Sequence, residues 1–287
     1  MNQKKLFEKP LIRYMKNSLL IDEKVLVLGD LHIGYEEYIT RAAILPNIQL
    51  KEIFNDLNEI FERLDREKIE LREIIILGDL KHEFGSILDT EWRDGIKLID
   101  YLKGKVSLDK KTGKIVFIKG NHDTIFEPIA RKRGIELKDY YKIKVNGRYV
   151  WFLHGDKLFK QLFKQPDRQT DNKTNRQMFR QTNSKKDILV LGHLHPSITL
   201  ADNYKKERYK CFLYGNYKGF LVYILPSFSF VSFGYNLSKI NERKSNKKAK
   251  KEFYFIINNK SLKKFNVVVY NDQENKEYNF GKLGKLI

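Results

Sequence analysis

The chain has 287 residues, 41% of them hydrophobic, enough to build one large core or a core with an appendage. Its 55 Lys and Arg against 36 Asp and Glu give a net charge of +19, a field that favours polyanions such as nucleic acid as partners, although a Lys, Ile and Asn bias also arises from an AT-rich genome. A lone Cys211 excludes an intramolecular disulfide framework and leaves metal ligation to His, Asp and Asn. The stretch Met1 to Leu20 breaks its apolar residues with Lys, Glu, Arg and Pro, so neither a signal-peptide core nor a membrane span is expected, and a reducing, cytoplasmic setting is.

In chain order, the first clear element is Val25 to Leu28, an apolar run of strand length that ends in Gly29-Asp30. After Pro46, Ile53, Leu57, Ile60, Phe61 and Leu64 recur at helical spacing among charged residues, which predicts an amphipathic covering helix. Ile74 to Leu77 repeats the strand pattern before Gly78-Asp79. A second helix is expected roughly between Leu88 and Leu102, and Ile115 to Ile118 leads into Gly120-Asn121-His122-Asp123. This βαβαβ alternation predicts a largely parallel first sheet.

From Tyr140 the rhythm shortens. Tyr141 to Val145, an Asn146-Gly147 turn and Arg148 to Leu153 read as a hairpin ending on His154. Ile188 to Leu191 precedes His193 and His195, and Cys211 to Tyr214 and Phe220 to Leu225 continue as strands. Two further strands are expected at Phe253 to Ile257 and Phe265 to Tyr270. The expected fold is α/β, a four-layer α-β-β-α sandwich of two mixed sheets flanked by helices. Residues 164–186 are polar with almost no apolar content and read as a mobile insertion. Its Arg168, Arg176 and Arg180 are candidates to embrace a phosphate backbone, although little aromatic interleaving accompanies them. Residues 239–251 form a Lys-rich run.

All six histidines lie in or beside five short islands: Asp30-Leu31-His32, Gly78-Asp79 with His82, Gly120-Asn121-His122-Asp123, His154-Gly155-Asp156 and Gly192-His193-Leu194-His195. Most islands follow an apolar run, so their polar residues sit at strand ends, where loops of a rigid sheet converge. A phosphoryl-transfer site needs a nucleophile at neutral pH and positive charge where negative charge accumulates, and two divalent ions roughly 3.5–4 Å apart supply both. The islands offer an oxygen and nitrogen set suited to Mn²⁺ first, with Fe, Ni or Zn as alternatives. Two Asp ligands and one hydroxide would leave two dications net positive, which favours a phosphate oxyanion. Ser227 lacks the Gly-x-Ser-x-Gly elbow of a hydrolase nucleophile and reads as structural or cleft-lining.

Asp-x-His, Gly-Asp, Gly-Asn-His-Asp, His-Gly-Asp and Gly-His-x-His in this order resemble the calcineurin-like metallophosphoesterase superfamily. The resemblance covers motifs from residue 30 to 195. Leu31-His32-Ile33-Gly34-Tyr35-Glu36, Ile44-Leu45-Pro46, Gly78-Asp79-Leu80-Lys81-His82 and Leu225-Pro226-Ser227-Phe228 look like the archaeal predicted phosphoesterases related to bacterial phosphoesterases associated with DNA ligases. It implies that Asp30, His32, Asp79 and His195 hold one metal, that Asp79 bridges to a second held with Asn121, His154 and His193, and that a shared hydroxide is the nucleophile. His122 would meet the phosphate or leaving oxygen, with Asp123 orienting its ring. His82 reads either as lining the substrate cleft or as packing beside Asp79.

The implied activity is that of a dinuclear metal-dependent phosphodiesterase, a nuclease on DNA or RNA. The alternatives are a phosphatase or phosphodiesterase for small or cyclic nucleotides and, from another class, a non-catalytic module that binds nucleic acid or protein. The division expected is a catalytic domain over 1–238 and a β-rich extension over 239–287. A homodimer is expected on general grounds, without an apolar stripe that demands one.

Overall fold

The computed structural model describes residues 10–40, 48–83, 85–106, 113–123, 126–159, 186–201, 205–240 and 255–287. Ile44-Leu45-Pro46, the insertion up to residue 185 with Arg168, Arg176 and Arg180, and the Lys-rich run from 241 lie outside the described residues.

Six strands form the first sheet: β1 (Ile12–Met15), β2 (Ser18–Ile21), β3 (Val25–Leu28), β4 (Glu73–Ile76), β5 (Lys114–Ile118) and β6 (Glu136–Lys138), paired in that order. β3 to β6 run parallel, as the βαβαβ reading predicts, while β1 and β2 add an antiparallel hairpin at one edge. The parallel strands read as unbroken apolar runs because both faces are buried. Leu26, Leu28, Ile74, Ile76 and Phe117 point to one face, and Val25, Val27, Ile75, Leu77, Val116 and Ile118 to the other.

The first face is covered by α2 (Ile48–Arg66) and α3 (Asp89–Lys105), with the shorter α1 (Tyr35–Thr40) and α4 (Glu127–Lys132) beside them. α2 buries Gln49, Leu50, Ile53, Leu57, Ile60, Phe61 and Leu64, the predicted stripe extended at its start by Gln49 and Leu50. Each fully buried Leu or Ile contributes roughly 1.5–3 kcal/mol.

The opposite face packs on a second sheet of seven strands, in the order β16 (Lys276–Lys282), β15 (Asn266–Asn271), β12 (Phe212–Tyr217), β13 (Phe220–Ile224), β9 (Ile188–Leu191), β8 (Arg148–Leu153) and β7 (Tyr141–Val145). β8, β9 and β13 are mutually parallel, and the other pairs are antiparallel. Val150, Phe152, Ile188, Val190 and Phe212 meet the first sheet in one apolar layer. The strand predicted at Phe265 to Tyr270 joins this sheet through β12, and β16 extends it.

The covering is uneven. Beyond the second sheet, the described residues place a small third sheet, β11 (Lys206–Lys210), β10 (Pro196–Ala201) and β14 (Tyr235–Asn236), with the one-turn α5 (Asn259–Leu262) and 3-10 turns at Leu237–Lys239 and Leu283–Lys285. Residues 255–257, expected as strand, form a bend instead: Ile256 and Ile257 are buried, and the Ile256 N–H donates to the Gly155 carbonyl at 3.2 Å. Their apolar character serves docking rather than pairing. Among the described residues no helix is long and apolar enough to cross a membrane.

Candidate metal centre

Past their last paired residues, the parallel strands continue as loops that remain bonded to one another. The His32 N–H donates to the Asp79 carbonyl at 2.9 Å, Ile33 N–H to the Leu80 carbonyl at 2.7 Å and His82 N–H to the Ile33 carbonyl at 3.0 Å, which joins the loops after β3 and β4. The Gly192 N–H donates to the His154 carbonyl at 2.9 Å and joins those after β8 and β9. All five islands therefore meet at the carboxyl ends of strands from both sheets.

Seven side chains converge there in two groups that share one carboxylate, and a third set, His32, His82 and His122, adjoins the first through His32. In the first, His195 Nε2 lies 2.8 Å from Asp30 Oδ1 and 3.3 Å from His32 Nε2, which is 3.9 Å from Asp79 Oδ2. In the second, His154 Nε2 is 3.2 Å from Asp79 Oδ2, 3.0 Å from Asn121 Oδ1 and 3.0 Å from His193 Nδ1. Asp30, Asp79 and His154 are at most 1% exposed.

Burial and the neighbouring His195 ring hold His32 well below the ordinary imidazole value, and burial with His154 brings His193 down to about 4. His154 goes the other way: burial opposes its charge, but Asp79 and Asp30 raise it to about 10. Its Nδ1 donates to the Leu77 carbonyl at 2.6 Å, which aims Nε2 at the shared carboxylate. The imidazoles and two carboxylates crowd at 2.8–3.9 Å, and their nitrogen and oxygen donors fit divalent cations, which would take the place of the His154 proton.

Backbone strain marks the same residues. Asp30, His32, Asp79, His193 and His195 have φ of 49°, 46°, 50°, 63° and 43°, a left-handed conformation costly for residues with a side chain. Strain of about 1–3 kcal/mol per residue persists only where the surroundings fix it, and here it aims each side chain inward. Gly120 shows how little room remains, since a Cβ there would lie 2.1 Å from Asp79 Oδ1 and 2.5 Å from Asp79 N. Gly120→Ala is expected to cost about 3 kcal/mol in denaturant unfolding and to weaken metal retention; an unchanged midpoint would contradict this packing.

His122 lies beside both groups, its Nε2 3.8 Å from Asp79 Oδ2. Its ring is oriented by the His82 carbonyl at Nδ1, not by Asp123 as expected. The Asp123 carboxylate instead accepts the backbone N–H groups of Asp79 at 2.6 Å, Leu80 at 3.0 Å and Gly120 at 3.0 Å, so it braces the loop that carries Asp79. The Asp79 carboxylate in turn accepts the His122 N–H at 2.9 Å. His82 packs between Tyr35 and His122, at ring-centroid distances of 4.3 and 5.3 Å, and its Nδ1 is 3.4 Å from His32 Nδ1.

Several supporting residues escaped the sequence reading. Gln49, 2% exposed, donates from Nε2 to the His32 carbonyl at 2.7 Å and to Ser229 Oγ at 2.8 Å. Glu91 accepts the N–H groups of His82 at 2.9 Å and Glu83 at 2.7 Å while its second oxygen takes Leu88 N–H at the start of α3. The signal was Glu three residues after a helix boundary, half of a capping box. Ser227 donates to the Asp30 carbonyl at 2.8 Å, the structural one of the two roles expected of it.

Lys210, largely buried, donates to the Ser227 carbonyl at 2.8 Å and to the Ser229 carbonyl, and burial pulls its amine down to about 7. The folded amine holds its proton less tightly than the unfolded one, whose ordinary value is 10.5. The unfolded chain therefore binds more protons between those values, and stability rises with pH there by up to ~1.4 kcal/mol per unit. Lys210→Met should flatten the stability profile between pH 7 and 10; identical slopes in variant and parent would refute this.

A buried cluster of imidazoles and carboxylates at the carboxyl ends of two packed mixed sheets defines an α/β metal-site protein of the phosphoesterase kind. Residues 23–225 match the calcineurin-like phosphoesterase family, and the chain belongs to it. Among solved structures the chain is similar to the nuclease MPE of Pseudomonas putida, with 17% identity, 88% of each chain covered and a TM-score of 0.46. It is also similar to an archaeal phosphodiesterase, with 10% identity over 90% of this chain and 98% of that one and a TM-score of 0.33. For Vps29 of Entamoeba histolytica the identity is 16%, the coverage 90% and 99% and the TM-score 0.31. A search of curated proteins finds no match.

Proposed function

We propose that the protein is a dinuclear metal-dependent phosphodiesterase that cleaves DNA or RNA. The observation that carries this reading is the pair of donor groups that share Asp79. Asp30, His32, Asp79 and His195 would hold one ion, and Asp79, Asn121, His154 and His193 the other. Two divalent ions supply a hydroxide nucleophile at neutral pH and positive charge for the phosphate oxygens.

The chain's own residues do the rest. His154 is fixed by its bond to the Leu77 carbonyl, and Asp30 by the His193 N–H, which donates to both its oxygens at 3.1 and 3.0 Å. His122, whose Nδ1–H is donated to the His82 carbonyl, presents Nε2 to the leaving oxygen: as an imidazolium it would pass the Nε2 proton to that oxygen and remain the neutral Nδ1–H tautomer, or it would stabilise the charge there. Asp123 keeps the Asp79 loop in place beneath it. The net charge of +19 supports a polyanionic substrate, since a small ester would gain less from a field spread over the whole chain.

The test is cleavage of an end-labelled single-stranded oligonucleotide by metal-stripped protein with and without Mn²⁺, with His122→Ala as control for contaminating nuclease. Mn²⁺-dependent cutting lost in the variant is expected. Absence of cutting, with turnover of a small nucleotide ester, would move the assignment to the small-molecule alternative.

A further inference from the structure

The loop at 226–235 is fastened to both sides of the first donor group. At one end Ser227 Oγ donates to the Asp30 carbonyl, Phe228 N–H donates to the Gly29 carbonyl at 2.8 Å, and the Phe228 ring is buried. At the other, Tyr235 N–H donates to the His195 carbonyl at 2.8 Å, and Gly234 packs so closely that a Cβ would lie 2.3 Å from His195 Cβ. Gln49 and Lys210 brace its middle through Ser229. Arg208 donates from Nε to Ser197 Oγ at 2.9 Å and from its terminal nitrogen to the Gly234 carbonyl.

Between these fixings, Phe230 and Phe233 stand 41% and 51% exposed. A single exposed aromatic residue needs no explanation. Two within four residues differ here, because the chain between them is closed by a turn in which the Ser232 N–H donates to the Ser229 carbonyl at 3.3 Å, and Phe233 is one residue from the glycine that packs on His195. The Arg208 guanidinium carbon lies 5.7 Å from the Phe233 ring centroid, so a cation already attends this aromatic surface.

We infer that Phe230, Phe233 and Arg208 form a stacking platform for an unpaired nucleobase, which makes single-stranded nucleic acid the substrate of the adjacent centre. A base is the occupant that fits. It offers a flat π face for the rings and carries a phosphate on each side, one for the metal centre and one for Lys206 and Arg208, the exposed cations of β11. In a duplex these faces are covered by neighbouring bases, so only a single strand or a frayed end presents one. The inference rests on the nuclease reading for the identity of the scissile bond, but base binding itself does not.

The experiment places 2-aminopurine in a single-stranded oligonucleotide and follows its quenching on binding in Mn²⁺, in a His122→Ala background where cutting is slow. Quenching is expected with the parent rings, is retained in Phe230→Tyr/Phe233→Tyr and is lost in Phe230→Ala/Phe233→Ala, with binding about tenfold weaker. In the His122-intact protein, an abasic residue beside the scissile phosphate should lower kcat/KM about tenfold, and the alanine pair should erase that difference. Equal quenching in the alanine pair would overturn the platform. So would ring-dependent self-association in sedimentation, which would make a second copy the occupant. Cutting without ring-dependent quenching leaves the nuclease reading standing alone; ring-dependent quenching without cutting by wild type leaves the platform and removes the nuclease.

Discussion

Asp79→Asn is expected to lower kcat/KM by about 10³-fold or more and to leave less than one tightly held ion per chain. Asp79 is the one side chain common to both donor groups, and its Oδ2 lies 3.2 Å from His154 Nε2 and 3.9 Å from His32 Nε2. An amide keeps an oxygen for the His122 N–H but loses the charge that offsets two cations. Without metal the variant should unfold at lower denaturant than the parent, because the amide no longer offsets the buried His154 charge, yet keep a cooperative transition, which separates loss of function from loss of fold. Metal content by mass spectrometry and turnover are read on one sample. Two ions per chain with full turnover would show that Asp79 is not the shared ligand.

His122→Ala should behave differently. Two ions are expected to stay, because no assigned ligand is removed, while kcat on an oligonucleotide falls about 10²–10⁴-fold. The deficit should shrink on bis-p-nitrophenyl phosphate, since p-nitrophenolate departs without a proton, whereas a sugar alkoxide needs one or a charge beside it. An equal deficit on both substrates would point to a role for His122 in holding the site rather than in protonating the leaving group. Loss of an ion in this variant would make His122 a ligand.

The parallel strands were legible because a strand buried on both faces must be apolar at every position, as Val25–Leu28, Ile74–Ile76 and Ile188–Leu191 are. β10 and β11 were not: in PSITLA only Ile198 and Leu200 alternate behind a proline, too short a pattern to stand out, and KERYK carries no apolar periodicity. The β1–β2 hairpin was missed for a different reason: Lys16 occupies the left-handed position of its turn, where glycine or asparagine would have signalled it. Phe253 to Ile257 looked like a strand because its isoleucines are buried, and burial alone does not specify an extended chain.

The donor residues of the site stood out because imidazoles and carboxylates recur beside glycine after each strand. Their supports did not. Gln49, Glu91, Arg208 and Lys210 each tie one loop to another, and nothing in a single glutamine or lysine announces a partner that lies anywhere from 9 to 180 residues away. Asp123 was noticed but given the wrong neighbour, since adjacency to His122 in sequence suggested a bond that its carboxylate makes with three backbone N–H groups instead.

The most direct test of a dinuclear centre is anomalous scattering from a crystal of the protein grown with Mn²⁺. Two peaks roughly 3.5–4 Å apart are expected. One should be enclosed by Asp30, His32, Asp79 and His195, the other by Asp79, Asn121, His154 and His193. A single peak, or none at full Mn²⁺ saturation, would contradict the shared-carboxylate centre and the hydrolysis proposed for it.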